Sequence, residues 1–341
     1  MLKRAVCSPA HNAASPVCPS STLGLIVVTS TAGFVYSSGL LRAFAIALPT
    51  ALLGGIGGSM AETSAPAARV FAPRVISEPF IDTAPTFTSD GKTVYFQHSD
   101  GVRAAIKVSH LIDGAWTSPE SVSFSDRWND LEPALSPDGN YMIFASARPV
   151  KEGGGALDGE WGGRRWPGQG GNLWRVDRRG DGWGEPYRLP DTINDCASVF
   201  EPSLARKGVL YFMRPDQTSG KFHLFRAAPD GKGYAQPEPL PFTDIAHTDA
   251  DPAVSADESF LVFGSNRPPS EKLSLYVVFR HGKGWGVPVR LPDSVNEGAP
   301  LTDAHLSADE QTLYFSRDRM IWSLPFAVLL RDARAVDGGQ S

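Results

Sequence analysis

Four carboxylates recur at one position of a repeated segment: Glu132, Glu201, Asp251 and Asp303, the first three each directly followed by proline. Carboxylates brought together repel, so they require a cation, hydrogen-bond donors or a retained proton. Such a group could hold a metal ion, receive a cationic group of a partner, or supply the acid pair of a glycosidase. A purely structural arrangement would satisfy the same acids with backbone N–H donors or with arginines of neighbouring units. Arg148, Arg214 and Arg267, which follow matching strands of their units, are the candidates for that pairing. His247 and His305 are expected near the same acids, with Asp249 close in sequence, and would add imidazole ligands if a metal were bound.

A second set of recognition residues lies in the Gly-rich stretch 150–171, where Trp161 and Trp166 flank Arg164 and Arg165. Aromatic and arginine side chains on a flexible frame suit protein or sugar recognition. Asp90, Asp138, Asp257 and Asp309 read differently: each sits in a turn, where an Asp side chain bonds the turn backbone. The chain has no Gly-x-Ser-x-Gly nucleophile elbow and no cofactor motif, so no cofactor is expected. Cys7 and Cys18 precede the folded region, which leaves Cys196 without a disulfide partner and excludes a cysteine-rich zinc site.

The elements that position these residues follow from an internal repeat. The segment Glu132-Pro-Ala-Leu-Ser-Pro-Asp-Gly139 has counterparts beginning at Ala84, Glu201, Asp251 and Asp303, the third with a degenerate turn at Arg206-Lys207-Gly208. Each copy leads through a turn into an alternating strand that ends in Tyr95-Phe96, Ile143-Phe144, Tyr211-Phe212, Val262-Phe263 or Tyr314-Phe315. This is a hairpin pattern. A third strand follows, and then a fourth marked by an aromatic shortly before a proline: Trp116…Pro119, Trp183…Pro186, Tyr234…Pro237 and Trp285…Pro288. Pro is tolerated on an outermost strand because one edge is unpaired.

The fifth unit stops near Pro325 without that last strand, while Val70–Ile76 precedes the first unit. The expected fold is therefore all-β: a five-bladed β-propeller of four-stranded antiparallel blades, closed by the N-terminal strand. Residues 1–61 read as a leader, 62–325 as the propeller and 326–341 as a tail. Unit two carries the 150–171 insertion between its second and third strands. In such a ring the innermost strands all begin on one face, which gathers the four acids at one channel mouth and puts the insertion beside them.

The run from Glu132 to Gly139 and on through Phe144-Ala-Ser-Ala-Arg-Pro149 resembles the WD40-like repeat of TolB-type periplasmic propellers, over residues 70–325. TolB-like propellers often have six blades and an additional N-terminal domain, neither of which is read here. The resemblance implies an envelope or secreted protein that binds another protein or a glycan. The expected function is a non-catalytic exported propeller that binds a protein or cell-envelope glycan through the channel mouth and the insertion. The alternative is a carbohydrate-active enzyme, a glycosidase or lyase, using the acids at that mouth.

A formal net charge of −5 disfavours nucleic acid or anionic membrane as partner. Within the leader the apolar run Ala43–Ile56 follows Arg42 and ends at Gly57-Gly-Ser-Met-Ala61, with small residues at the −3 and −1 positions of a signal-peptidase site. The mature chain is expected to lack a stable membrane span and to be periplasmic or secreted. Cleavage after Ala61 is the expected outcome of expression in a bacterium, with Glu62 as the first residue by intact-mass analysis of the exported protein. A mature chain that retains Ala43–Ile56 would contradict it.

Overall fold

The computed structural model describes residues 67–77, 80–125, 127–231 and 233–339; the leader reading falls outside them. Five antiparallel sheets follow one another along the chain. Blade one is built from Ile81–Phe87, Thr93–Ser99 and Ala104–Ile112, with short outer pieces Ala115–Trp116 and Glu120–Ser121. Blade two runs Asp130–Leu135, Tyr141–Ser146, Asn172–Arg179, then Gly182–Trp183 and Tyr187–Arg188. Blade three comprises Phe200–Leu204, Leu210–Pro215, Phe222–Ala227 and Glu238–Pro239, and blade four Asp249–Val254, Phe260–Ser265, Ser274–His281, Gly284–Trp285 and Val289–Arg290. Blade five has Thr302–Leu306, Thr312–Arg317 and Met320–Pro325, and its outer strand is Arg69–Val70 from the start of the described chain.

That last pairing closes the ring as expected: Arg69 and Val70 face Ser323 and Trp322, and the Phe71 N–H donates to the Ile321 carbonyl at 2.8 Å. Phe71 then packs edge-on against Phe87, Trp116 and Tyr314, tying the closing strand into blade one. A ring closed by hydrogen bonds leaves no long free sheet edge.

Each blade is covered on both faces by its neighbours, so a middle strand can be buried along its length rather than on alternate residues. Phe260–Ser265 is buried at every residue. Fully burying one such Phe contributes roughly 1.5–3 kcal/mol relative to leaving it exposed. The turn aspartates act as expected. Thr88, Ser136, Ser255 and Ser307 each donate a hydroxyl to the Asp two residues on, at 2.6, 2.7, 3.1 and 2.6 Å. The same carboxylates accept the N–H groups of Lys92, Asn140, Ser259 and Gln311.

Residues after 326 are more than a tail. Ala327–Gly338 is a helix that seats Leu329 and Ala333 in the core cluster containing Phe279 and Leu291 of blade four. His281 Nε2 meets Asp337 at 2.8 Å, and the Arg334 guanidinium lies over the Phe279 ring. The apolar spacing Phe326, Leu329, Ala333 gives the helix one buried stripe.

Candidate functional site

Every innermost strand carries a bulge at the repeat acid. The pairing register slips between Thr83 and Thr86, Leu131 and Ala134, Phe200 and Ser203, Ala250 and Ala253, and Thr302 and His305. At each slip one residue is left-handed: Ala84 (φ 47°), Glu132 (54°), Glu201 (50°), Asp251 (56°) and Asp303 (50°). For a non-glycine residue this conformation costs about 1 kcal/mol or more. Proline follows in four of the five, where its missing N–H falls in an interrupted stretch of ladder and is not needed.

The geometry repays that strain by turning backbone N–H groups toward the carboxylates of the preceding blade. The Glu201 N–H donates to Glu132 Oε2 at 2.8 Å, and the Asp303 N–H bonds the Asp251 carboxyl. The Ala84 N–H, at the same position of blade one, instead donates to Ser316 Oγ of blade five at 3.4 Å. The four acids that the sequence singles out thus meet in the channel. Burial pushes Glu132 up to about 8, against the pull of its bond from the Glu201 N–H, and the Asp303 charge adds to the rise. Burial also holds Glu201 well above the usual carboxylate range, reinforced by the charges of Glu132, Asp303 and Asp251. Asp251 is raised by burial first and then by Asp303 and Glu132. The Glu201 carboxyl faces those of Glu132 and Asp303, and carboxyls held this close cannot all ionise together.

The arginines do not neutralise this ring. Arg148 pairs with Asp130 at 2.8 Å, Arg267 with Asp249 at 2.8 Å, and Arg214 with Asp195. Each guanidinium also lies over an aromatic ring of its own blade, respectively Phe144, Phe263 and Phe225. The histidines are separate as well. His247 bonds Asp244 at 3.0 Å in the loop before blade four. His305 lies past the bulge and lines a cavity of about 370 Å³ on the lower face, where the Asp turns are; burial pushes its imidazole down to about 4. Among the described residues no group of three or more His, Cys, Asp or Glu side chains has a geometry suited to a metal.

On the upper face, where the innermost strands begin, a cavity of about 460 Å³ has Glu132 in its lining, Trp161, Phe200, Met213 and Phe222 as apolar wall, and Asn129 among its polar groups. The 150–171 insertion is not the flexible frame its glycines suggest. Gly159–Trp161 and Arg164–Trp166 pair as a hairpin, with Trp161 stacked on Trp166 at 5.3 Å and edge-on to Phe200. Leu157 donates to Ala147, Glu160 to Ser198 Oγ, and Gly162 to Gly220, so the insertion is fastened to blades two and three. Phe200, Met213 and Phe222 escaped notice in the sequence because an apolar strand residue looks the same whether it faces core or cavity.

No family model matches the chain, and neither does any curated protein. Among solved structures it is similar to TolB from Acinetobacter baumannii, at 18% identity and a TM-score of 0.46 over 73% of this chain. The chain spans 54% of that protein's length. A thermostable family-43 glycoside hydrolase is 10% identical with a TM-score of 0.48, over 74% of this chain and 91% of the other. A gluconolactonase from Xanthomonas campestris is 11% identical with a TM-score of 0.43, over 77% and 95%.

The ring makes stability depend on pH in a definite direction. A carboxyl whose pKa is higher folded than unfolded favours the folded state most below its unfolded pKa, and that advantage is lost as pH rises through the folded value. For Glu132 the window runs from about 4.5 to about 8. The melting temperature is therefore expected to fall between pH 5 and pH 8.5, by an amount on the order of a few kcal/mol of stability. Glu132→Gln, which keeps an oxygen for the Glu201 N–H, is expected to flatten the profile. A profile that rises across this window, or one that Glu132→Gln leaves unchanged, would contradict the reading.

Proposed function

We propose that the protein is an exported propeller that binds a partner protein of the cell envelope through its upper face. One observation carries this reading: an apolar-walled cavity beside the channel opens on a face whose loops bear exposed apolar side chains. Val102, 90% exposed, lines the cavity itself, and Phe80, Val150 and Ile245 stand exposed in other loops of that face. Apolar groups gathered around a pocket mark protein contact surfaces, and aromatic anchors at their centre carry most of the binding energy. The stacked pair Trp161–Trp166 is already held in place, so little ordering cost falls due on association. An envelope glycan would use the same cavity, but the apolar rim favours a protein. No helix among the described residues is long and apolar enough to cross a membrane.

A second reading has one observation in its favour. Glu132, in the cavity lining, is pushed up to about 8 and so carries a proton at neutral pH, the state required of a general acid. This would make the protein a carbohydrate-active enzyme.

Two variants separate the readings. Trp161→Ala is expected to weaken capture of the envelope partner at least tenfold with the circular dichroism spectrum unchanged, and Glu132→Gln to leave capture intact. Partner affinity indifferent to Trp161→Ala would remove the binding reading. Hydrolysis of an oligosaccharide by the wild-type chain, abolished in Glu132→Gln, would establish the enzyme.

A further inference from the structure

Two departures from the repeat meet at one blade junction. Between blades one and two Trp183 packs edge-on against Tyr95 at 5.6 Å, and between blades three and four Trp285 packs against Tyr211 at 6.4 Å. The same two positions between blades two and three hold Tyr234 and Ile143, a smaller pair. Tyr234 makes no ring contact among the described residues. The second departure is the turn of blade three. The hydroxyl-and-aspartate device of the other four blades is replaced there by Arg206-Lys207-Gly208, with Lys207 left-handed at φ 65°. Both basic side chains are exposed, and neither is held by a hydrogen bond or ion pair among the described residues.

Together these changes open a cavity of about 720 Å³ on the lower side of the junction, lined by Tyr141, Tyr187, Tyr234, Arg175, Arg206 and Lys207. The Arg175 guanidinium lies over the Tyr141 ring at 3.7 Å and is already paired with Asp177 at 2.8 Å. Asp138, the carboxylate among the described lining residues, is occupied by Ser136 and Asn140. The charge left without a partner is therefore the cationic pair at the turn. Burial raises the pKa of Tyr141, Tyr187 and Tyr234, so their phenols stay protonated; the Tyr187 hydroxyl already donates to Asp177 Oδ2 at 3.4 Å.

We propose that this junction cavity is a second binding site, for a small anionic ligand with a flat ring body. The anion sits against Arg206 and Lys207, and the ring lies among the three tyrosines. A cavity of this size suits one small molecule, with a few polar groups setting its orientation. Guanidinium and ammonium together recognise carboxylate or phosphate through charge-assisted hydrogen bonds. Tyrosine faces and the Arg175 plane accept a flat ring. The site is distinct from the upper-face cavity and does not depend on the reading proposed for it.

The test is calorimetric titration of the purified chain with 2-naphthoate, 2-naphthyl phosphate and the uncharged 2-naphthamide. At least one anion is expected to bind about tenfold or more tighter than the amide, and the tighter of the two identifies the anion class. Arg206→Ser combined with Lys207→Ser, on an exposed turn, is expected to erase that preference. Tyr234→Trp installs the residue found in the sister blades; it should fill the cavity and abolish binding without lowering the melting temperature. Trp161→Ala should change nothing, which separates this site from the upper face. The proposal is overturned if neither anion binds at millimolar concentration, if the amide binds as tightly as both anions, or if the double variant keeps the preference.

Discussion

Closing five sheets into a ring forces five strand beginnings into one narrow channel, and four of them bring a carboxyl group. The rest of the architecture answers that constraint. Left-handed residues at the bulges turn N–H groups onto the acids, Glu201 onto Glu132 and Asp303 onto Asp251. Burial and mutual repulsion then keep protons on the ring, and a protonated carboxyl can donate to its neighbour. The strain of the bulges is thus offset by hydrogen bonds that run between blades rather than within them. The ring thus adds to other hydrogen bonds between sheets, such as those from the Leu135 N–H to Thr86 Oγ1 and from the Val254 N–H to Ser203 Oγ.

A repeat of this kind also makes exceptions informative. Where all blades obey the same rule, a residue is explained by its position. Where one blade departs, the neighbouring space changes. The insertion in blade two builds a wall for the upper cavity, and the Tyr–Ile pair with its basic turn opens the lower one. The two candidate binding regions lie where the repeat is broken, on opposite faces, while the ring of acids lies where it is kept.

Much of this was legible in the sequence. Five copies of the turn segment and four aromatic–proline marks set the blade number, and the surplus strand at Val70 supplied the closure. The acids were found because they recur, and the structure gathers them. The fate of the arginines was not legible, and the bulge explains why. Simple alternation puts Asp130 and Glu132 on one face of the strand. The left-handed residue breaks the alternation, leaving Asp130 with Arg148 while Glu132 turns into the channel. A non-glycine residue with positive φ has no reliable sequence sign, although the proline that follows four of the five is a trace of it. The insertion misled for a related reason. Its glycines read as freedom, yet a Cβ at Gly171 would stand 2.3 Å from the Phe200 ring and one at Gly170 2.8 Å from the Ala197 carbonyl. They permit close packing. His305 was assigned to the acid mouth by its nearness to Asp303 in sequence, but two residues of an innermost strand carry it past the bulge and toward the lower face.

The measurement that tests the ring most directly is carbon-13 NMR of the side-chain carboxyl groups, assigned through single Glu→Gln and Asp→Asn variants and followed across pH. The account requires carboxyl signals from Glu132, Glu201 or Asp251 that remain in the protonated position at pH 7 and shift only above it. Titration of all three within the ordinary carboxylate range would show that the channel is solvated and the acids independent, and the central claim would fall.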